Sequence, residues 1–252
     1  MIFGRFFYGN REVFGVVQEG MVLEVIQGQD GTRVAQESFP VAEATFLPPV
    51  LPTKIIGVGL NYRQHAEEMG KPLPETPLLF LKPATAIIAH GQSILLPSQS
   101  EQVEYEAELG VVIGRECRKV SEEEALKCVL GFTCVNDVTA RDLQRADVQY
   151  TRAKSFDTFA PTGPYLATEI DPDNLGIRSY VNGEVRQNSS TSDMVFPVAR
   201  LISFISSVMT LRPGDIISTG TPSGVGPLRS GDVVEVEIDQ IGKLRNPVEF
   251  EG

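Results

Sequence analysis

Two glutamates, Glu106 and Glu108, stand two residues apart in the alternating run VEYEAELGVVIG (103–114). On an extended strand such residues leave the same face, roughly 7 Å apart at Cα. Carboxylates so placed repel unless a cation or a proton lies between them. Asp137, closing the separate run GFTCVND, can supply a third oxygen. Three carboxylates with water suit a hard divalent ion such as Mg²⁺ or Mn²⁺. A solvated strand face, with Glu104 in the same row, is the other reading of these residues.

His65 and Glu68 lie three apart in NYRQHAEEMG, where a helix places them on one face. The carboxylate would then orient the imidazole as a general base; an exposed loop histidine beside a chance acid remains open. Lys154, in TRAKSFDTFAPTGP, is flanked by Phe156, Phe159 and prolines. A partly desolvated lysine there balances a substrate carboxylate or a developing enolate; a plain exposed lysine is the alternative. TGTPSGVG (219–226) offers backbone amides to an anion, or is simply a turn. It is no phosphate loop, and GVGLNY lacks the third glycine of a dinucleotide fingerprint. H-E-x-x-H, C-x-x-C and G-x-S-x-G are absent.

Charge narrows the field. Lys and Arg number 22 against 33 Asp and Glu, a net charge of −11, with no basic run. Nucleic-acid binding, which draws most of its affinity from phosphate neutralisation, is not expected. An acidic substrate must be held by local positive charge, because the long-range field repels it. With two histidines in 252 residues, a metal site should be built from carboxylates. No run approaches the length of a membrane span, and no secretory leader is seen. The three cysteines, Cys117, Cys128 and Cys134, cannot all pair within one chain. The protein is read as soluble and cytoplasmic, and the cysteines as core or strand residues without a role. His90 is read as a surface residue without a partner.

The elements that must position these residues are mostly strands. Residues 1–46 read as a small N-terminal β domain, 47–53 as a proline-rich linker, and 54–252 as the main domain. KIIGVG, LLFLKPATAII, SILLP and GFTCVND read as strands, and 103–114 as one alternating strand with Glu104, Glu106 and Glu108 on one face. Lys71–Pro77, with three prolines, reads as a loop. Ser121 and Glu124 form a capping-box pattern for a helix to about Leu130; Thr139–Asp147 and Phe196–Thr210 are further helices. Asn182-Gly183 marks a two-residue hairpin. Strands do not alternate with crossover helices, so a mainly β (α+β) fold with short helices is expected.

In combination and order, GVGLNYRQHAEEMG, FLKPATAI, VEYEAELGVVIG, NDVTARDLQ, RAKSFDTFAPTGP, VNGEVRQ and STGTPSGVGP resemble the fumarylacetoacetate hydrolase family. The similarity runs from about residue 54 to the C-terminus. It implies a rolled β-sheet domain around the site, usually in homodimers. It further implies Mg²⁺ or Mn²⁺ on Glu106, Glu108 and Asp137, with Glu104 left as the solvated member of the row. His65–Glu68 then corresponds to a dyad on a flexible lid, and Lys154 to the active-site lysine. Arg141 and Gln144 match positions near the site, and Thr221 a hydroxyl near the substrate carboxylate. Substrates of such enzymes are 2-oxo acids and their enols. The expected activity is of the 2-hydroxyhepta-2,4-diene-1,7-dioate isomerase type, in aromatic-acid breakdown, through a metal-chelated enolate. Acylpyruvate hydrolase and oxaloacetate decarboxylase are the alternatives, and a non-catalytic metal- and oxo-acid-binding protein the remote one.

Overall fold

The computed structural model describes residues 1–28 and 31–252. Strands dominate, and the longest helix, Val198–Val208, has 11 residues. The largest sheet is built around Ala160–Ala167, Val129–Asn136 and Ala107–Ile113, which lie side by side. Beyond Ala107–Ile113 it continues through Ile216–Ser218 and Ile55–Gly59 to the edge strand Leu78–Lys82. On its other side, Ile2–Tyr8 pairs with Ala160–Ala167, so the N-terminal strands extend the same sheet.

A second, five-stranded sheet carries Gly176–Val181, Glu184–Ser190, Val233–Ile238, Gly242–Phe250 and Ile94–Leu96. The main core lies between the sheets: Leu109, Val111, Phe132 and Cys134 meet Ile177, Val236, Ile238 and Leu244. The helix Val198–Val208 adds Leu201, Ile202 and Ile205 on one face, as its apolar spacing predicts. The hairpin forms at Asn182-Gly183, with Val181 opposite Glu184 and both turn residues at positive φ. Cys117, Cys128 and Cys134 are buried free thiols.

Three local expectations need correction. The run 103–114 is not one strand: it divides at Glu106 into Val103–Tyr105 and Ala107–Ile113, and both faces are buried. Ser121 makes no side-chain cap; the helix Glu122–Ala125 becomes a 3-10 turn, Leu126–Cys128, and strand resumes at Val129. Thr139 and Ala140 pair with Glu104 and Val103 as strand, so the helix starts only at Arg141.

The proline-rich segment is anchored where it enters the main sheet. Buried Asp215 accepts hydrogen bonds from Thr53 N (3.1 Å), Thr53 Oγ1 (2.6 Å), Lys54 N (3.2 Å) and Arg212 N (2.8 Å), and pairs with the Lys54 ammonium. Burial alone would raise its pKa; the donors from Lys54, Thr53 and Arg212 outweigh that and hold it below the usual range. Asp215→Ala strands those donors and should destabilise the fold by about 3 kcal/mol, lowering Tm by roughly 6–12 °C. Because the folded-state pKa is depressed, the difference from wild type is full above the ordinary aspartate range. It closes as acid protonates Asp215. Thermal melts at several pH values measure it; an unchanged Tm at neutral pH contradicts this account.

Candidate active site

Two neighbouring strands change sheets at the same level. Ala107 pairs with Asn136 in the large sheet, whereas Glu104 pairs with Thr139 in a small three-stranded one. Glu106 and Asp137 occupy the crossing. Asp137 N donates to Glu106 O at 2.9 Å, and the Asn136 side-chain oxygen accepts from Glu106 N at 3.0 Å. The break thus satisfies its backbone groups locally, and it turns both carboxylates toward Glu108. Glu106, Glu108 and Asp137 are all buried, and one oxygen from each lies within 4.8 Å of the others.

Cations crowd this acidic floor. Lys154, the last residue of the short helix Thr151–Lys154, places Nζ 2.8 Å from Glu106 Oε2 and 2.5 Å from Asp137 Oδ2. It also lies 4.8 Å from the centroid of the Phe80 ring. Lys82, ending the edge strand Leu78–Lys82, is fully buried, pairs with Asp137 Oδ1 and donates to Val138 O at 3.0 Å. Arg141 spans Glu104 Oε2 (2.7 Å), Glu106 Oε1 (2.5 Å) and Gln144 Oε1 (2.5 Å).

Glu104 is therefore not the solvated member of its row. It is 6% exposed and bound by Arg141 and by Gln102 Nε2 at 2.6 Å. An alternating strand pattern cannot separate a solvated face from one covered by a distant arginine. Lys82, Asn61 and Gln187 escaped the sequence reading as well. Asn61 ties the chain before the His65 helix to Phe196 and Thr219, and Gln187 bonds Thr221 and Ala107 N. A lysine inside the apolar run LLFLKP was the one available hint.

The electrostatics follow from burial and these partners. Burial pushes the Glu106 carboxyl up, but Lys154, Arg141 and His65 together hold it far below the usual range. Glu108 has no such company: burial, Asp137 and Glu106 push it up to about 8. Burial drives Lys82 below its ordinary value despite Asp137, and Lys154 is raised because Asp137 and Glu106 outweigh its burial. Four carboxylates thus face three cations, Lys82, Lys154 and Arg141. The carboxyl left without a paired cation is Glu108, which its surroundings hold toward the protonated form. Its hydrogen bonds, from Ser218 Oγ (2.6 Å) and Gly220 N (2.9 Å), both reach Oε2. Converging, all-oxygen, buried and under-neutralised donors fit a hard divalent cation.

Above this floor stands the helix Arg63–Glu68, which follows the strand Ile55–Gly59. His65 is buried, and its Nδ1 lies 3.0 Å from Glu68 Oε2, so the pair forms. The other Glu68 oxygen accepts from Gly224 N at 3.0 Å. That clasp ties the helix to the loop after Ile216–Ser218, the parallel neighbour of Ile55–Gly59. Gly224 must be glycine here: its φ is +97°, and a Cβ would lie 2.3 Å from Arg186 O. Thr221 Oγ1 donates to Ala107 O and accepts from Gln187 Nε2.

A small cavity brings together His65, Glu106, Glu108, Arg141, Gln144, Lys154 and Thr221. Glu68 and Asp137 sit directly behind its wall, bonded to His65 and Lys154. His90 is elsewhere and is not a bare surface residue. It is partly buried, its ring centroid lies 4.6 Å from that of Phe46, and its Nδ1 accepts from Arg245 N at 3.1 Å.

Known proteins share this arrangement of strands. Residues 54–249 match the family described as fumarylacetoacetate (FAA) hydrolase C-terminal. The crystal structure of 2-hydroxyhepta-2,4-diene-1,7-dioate isomerase from Mycobacterium marinum is 41% identical with a TM-score of 0.92, covering 100% of this chain and 99% of that one. Maleylpyruvate hydrolase from Sphingobium sp. SYK-6, solved with manganese(II) and pyruvate, is 31% identical with a TM-score of 0.84, covering 100% of both chains. The mitochondrial oxaloacetate tautomerase of Bos taurus is 45% identical over 222 residues, 83% of this chain and 71% of that protein. Relatives thus span isomerases, hydrolases and tautomerases. This chain belongs to the fumarylacetoacetate hydrolase family.

Proposed function

We propose that the protein is a Mg²⁺- or Mn²⁺-dependent enzyme that relocates a proton on a 2-oxo or 2-hydroxy-dienoic dicarboxylic acid. The reaction is of the 2-hydroxyhepta-2,4-diene-1,7-dioate isomerase type. The observation that carries this reading is the His65–Glu68 pair on the wall of a cavity floored by Glu106 and Glu108 and edged by Lys154. Likeness to the Mycobacterium marinum isomerase supports the reaction type, and the manganese and pyruvate of the Sphingobium enzyme support the ligand class. A homodimer and a place in aromatic-acid breakdown belong to the same proposal.

Glu106, Glu108 and Asp137 hold the ion. When bound, it supplies Lewis-acid polarisation of the carboxylate and 2-oxygen at the head of the oxo acid. Lys154 brings a second positive charge to that head, which the acidic chain otherwise repels. Gln144 and Thr221 wall the head, and Arg141 fixes Glu106 from behind. A carboxylate only accepts, so His65 Nδ1 carries the hydrogen shared with Glu68 and Nε2 is the nitrogen free to take a proton. Moving that proton between carbons gives isomerisation, and moving it between carbon and oxygen gives tautomerisation. The same nitrogen can activate water, which favours acylpyruvate hydrolysis as the second reading. Oxaloacetate decarboxylation needs only the polarised head.

A substrate panel separates them: dienoate isomerisation or oxaloacetate tautomerisation should exceed acetylpyruvate cleavage, and rapid cleavage without proton relocation rejects the proposal. His65→Ala should lower kcat by about 10²–10⁴-fold while Mn²⁺ affinity stays within roughly threefold. Equal turnover in that variant removes the dyad from the chemistry. Glu108→Gln keeps an oxygen for Ser218 and Gly220, so the metal-free Tm should hold. Its Mn²⁺ affinity, by calorimetry, should fall at least about 100-fold, the upper end of outer-shell effects. Unaltered affinity refutes Glu108 as a ligand.

A further inference from the structure

Lys71, exposed to solvent, contributes to the lining of the cavity, and its backbone is fixed by the helix that carries His65. The helix Arg63–Glu68 ends with Gly70 at φ +62°, with Gly70 N bonded to Glu67 O (3.0 Å) and Lys71 N to Ala66 O (2.9 Å). These two bonds are the paired closure of a Schellman turn, which needs a residue in the left-handed region where Gly70 stands. The turn reverses the chain and delivers the Lys71 side chain to the cavity lining. Around it the rim is apolar: Met69, Leu78, Phe80 and Tyr150.

Charge pairing singles this lysine out. The other fixed cations of the cavity, Arg141 and Lys154, are committed to Glu104, Glu106 and Asp137. Among the described residues no carboxylate pairs with Lys71, although the chain carries 33 acidic residues. A divalent ion turns the floor's surplus negative charge into a single positive one, enough for one carboxylate head. Lys71 adds one more positive charge to the same lining.

We infer that Lys71 is a specificity-determining residue that binds the second, distal carboxylate of a dicarboxylic 2-oxo acid. This rests on the reading above, in which the 2-oxo acid head lies over Glu106, Glu108 and Asp137. It selects diacids over monoacids of equal chain length, and it couples their arrival to seating of the His65 helix. A cationic tail would be repelled by this ammonium, whereas an anionic one pairs with it.

Binding in Mg²⁺ measures this without turnover. Calorimetry would compare wild type, Lys71→Gln and Lys71→Arg with 2-oxoglutarate against 2-oxopentanoate, 2-oxoadipate against 2-oxohexanoate, and oxalate as the head alone. Wild type should prefer the diacid in at least one pair. Lys71→Gln should weaken that diacid roughly tenfold, the loss expected for one charged hydrogen bond. The monoacids and oxalate should be unchanged, and Lys71→Arg should retain the preference. A preference for monoacids in wild type, or equal weakening of all ligands in Lys71→Gln, overturns the inference while leaving the head site standing. No binding of oxalate by wild type overturns the head site itself, and this inference with it.

Discussion

The Lys154 ammonium lying across Glu106 and Asp137 is the contact on which the rest of the site depends. Isolated charges at that depth would cost several kcal/mol each in lost hydration. They are tolerated because every one except Glu108 has an opposite charge in contact. Two lysines share Asp137 and one arginine bridges two glutamates, so Glu106 and Asp137 each meet two cations. Glu108 bears the imbalance, and its raised pKa is the expression of it. A buried cluster in which one carboxyl lacks a paired cation is suited to take one up.

The backbone devices around the network follow from that need. Carboxylates from two strands can converge only if both strands leave the pleat together, which the shared sheet change at Glu106 and Asp137 accomplishes. The parallel strands Ile55–Gly59 and Ile216–Ser218 end on the same side, so the His65 helix and the Thr219–Gly226 loop face each other across the cavity. Glu68 then performs two tasks with one carboxylate, orienting His65 and fastening its helix to Gly224.

What the sequence made legible was whatever local pattern controls. Alternation put Glu106 and Glu108 on one face, with Asp137 joined to them only through the family resemblance; helical spacing joined His65 to Glu68, and Asn182-Gly183 marked its hairpin. What stayed hidden was set by partners distant in the chain. Glu104 looks solvated until Arg141, 37 residues away, is folded onto it. Lys82 looks like one polar break in an apolar strand until Asp137, 55 residues on, closes over it. The division at Glu106 leaves no mark in a pattern that keeps its period across both strands, because each strand obeys the same alternation in a different sheet.

A crystal grown with Mn²⁺ and oxalate tests the central claim most directly. The account predicts an anomalous peak bonded to one oxygen each from Glu106, Glu108 and Asp137, with oxalate completing the shell and Lys154 Nζ against the oxalate. Manganese bound elsewhere at millimolar concentration, or Lys154 still bridging Glu106 and Asp137 with no ion between them, would contradict it.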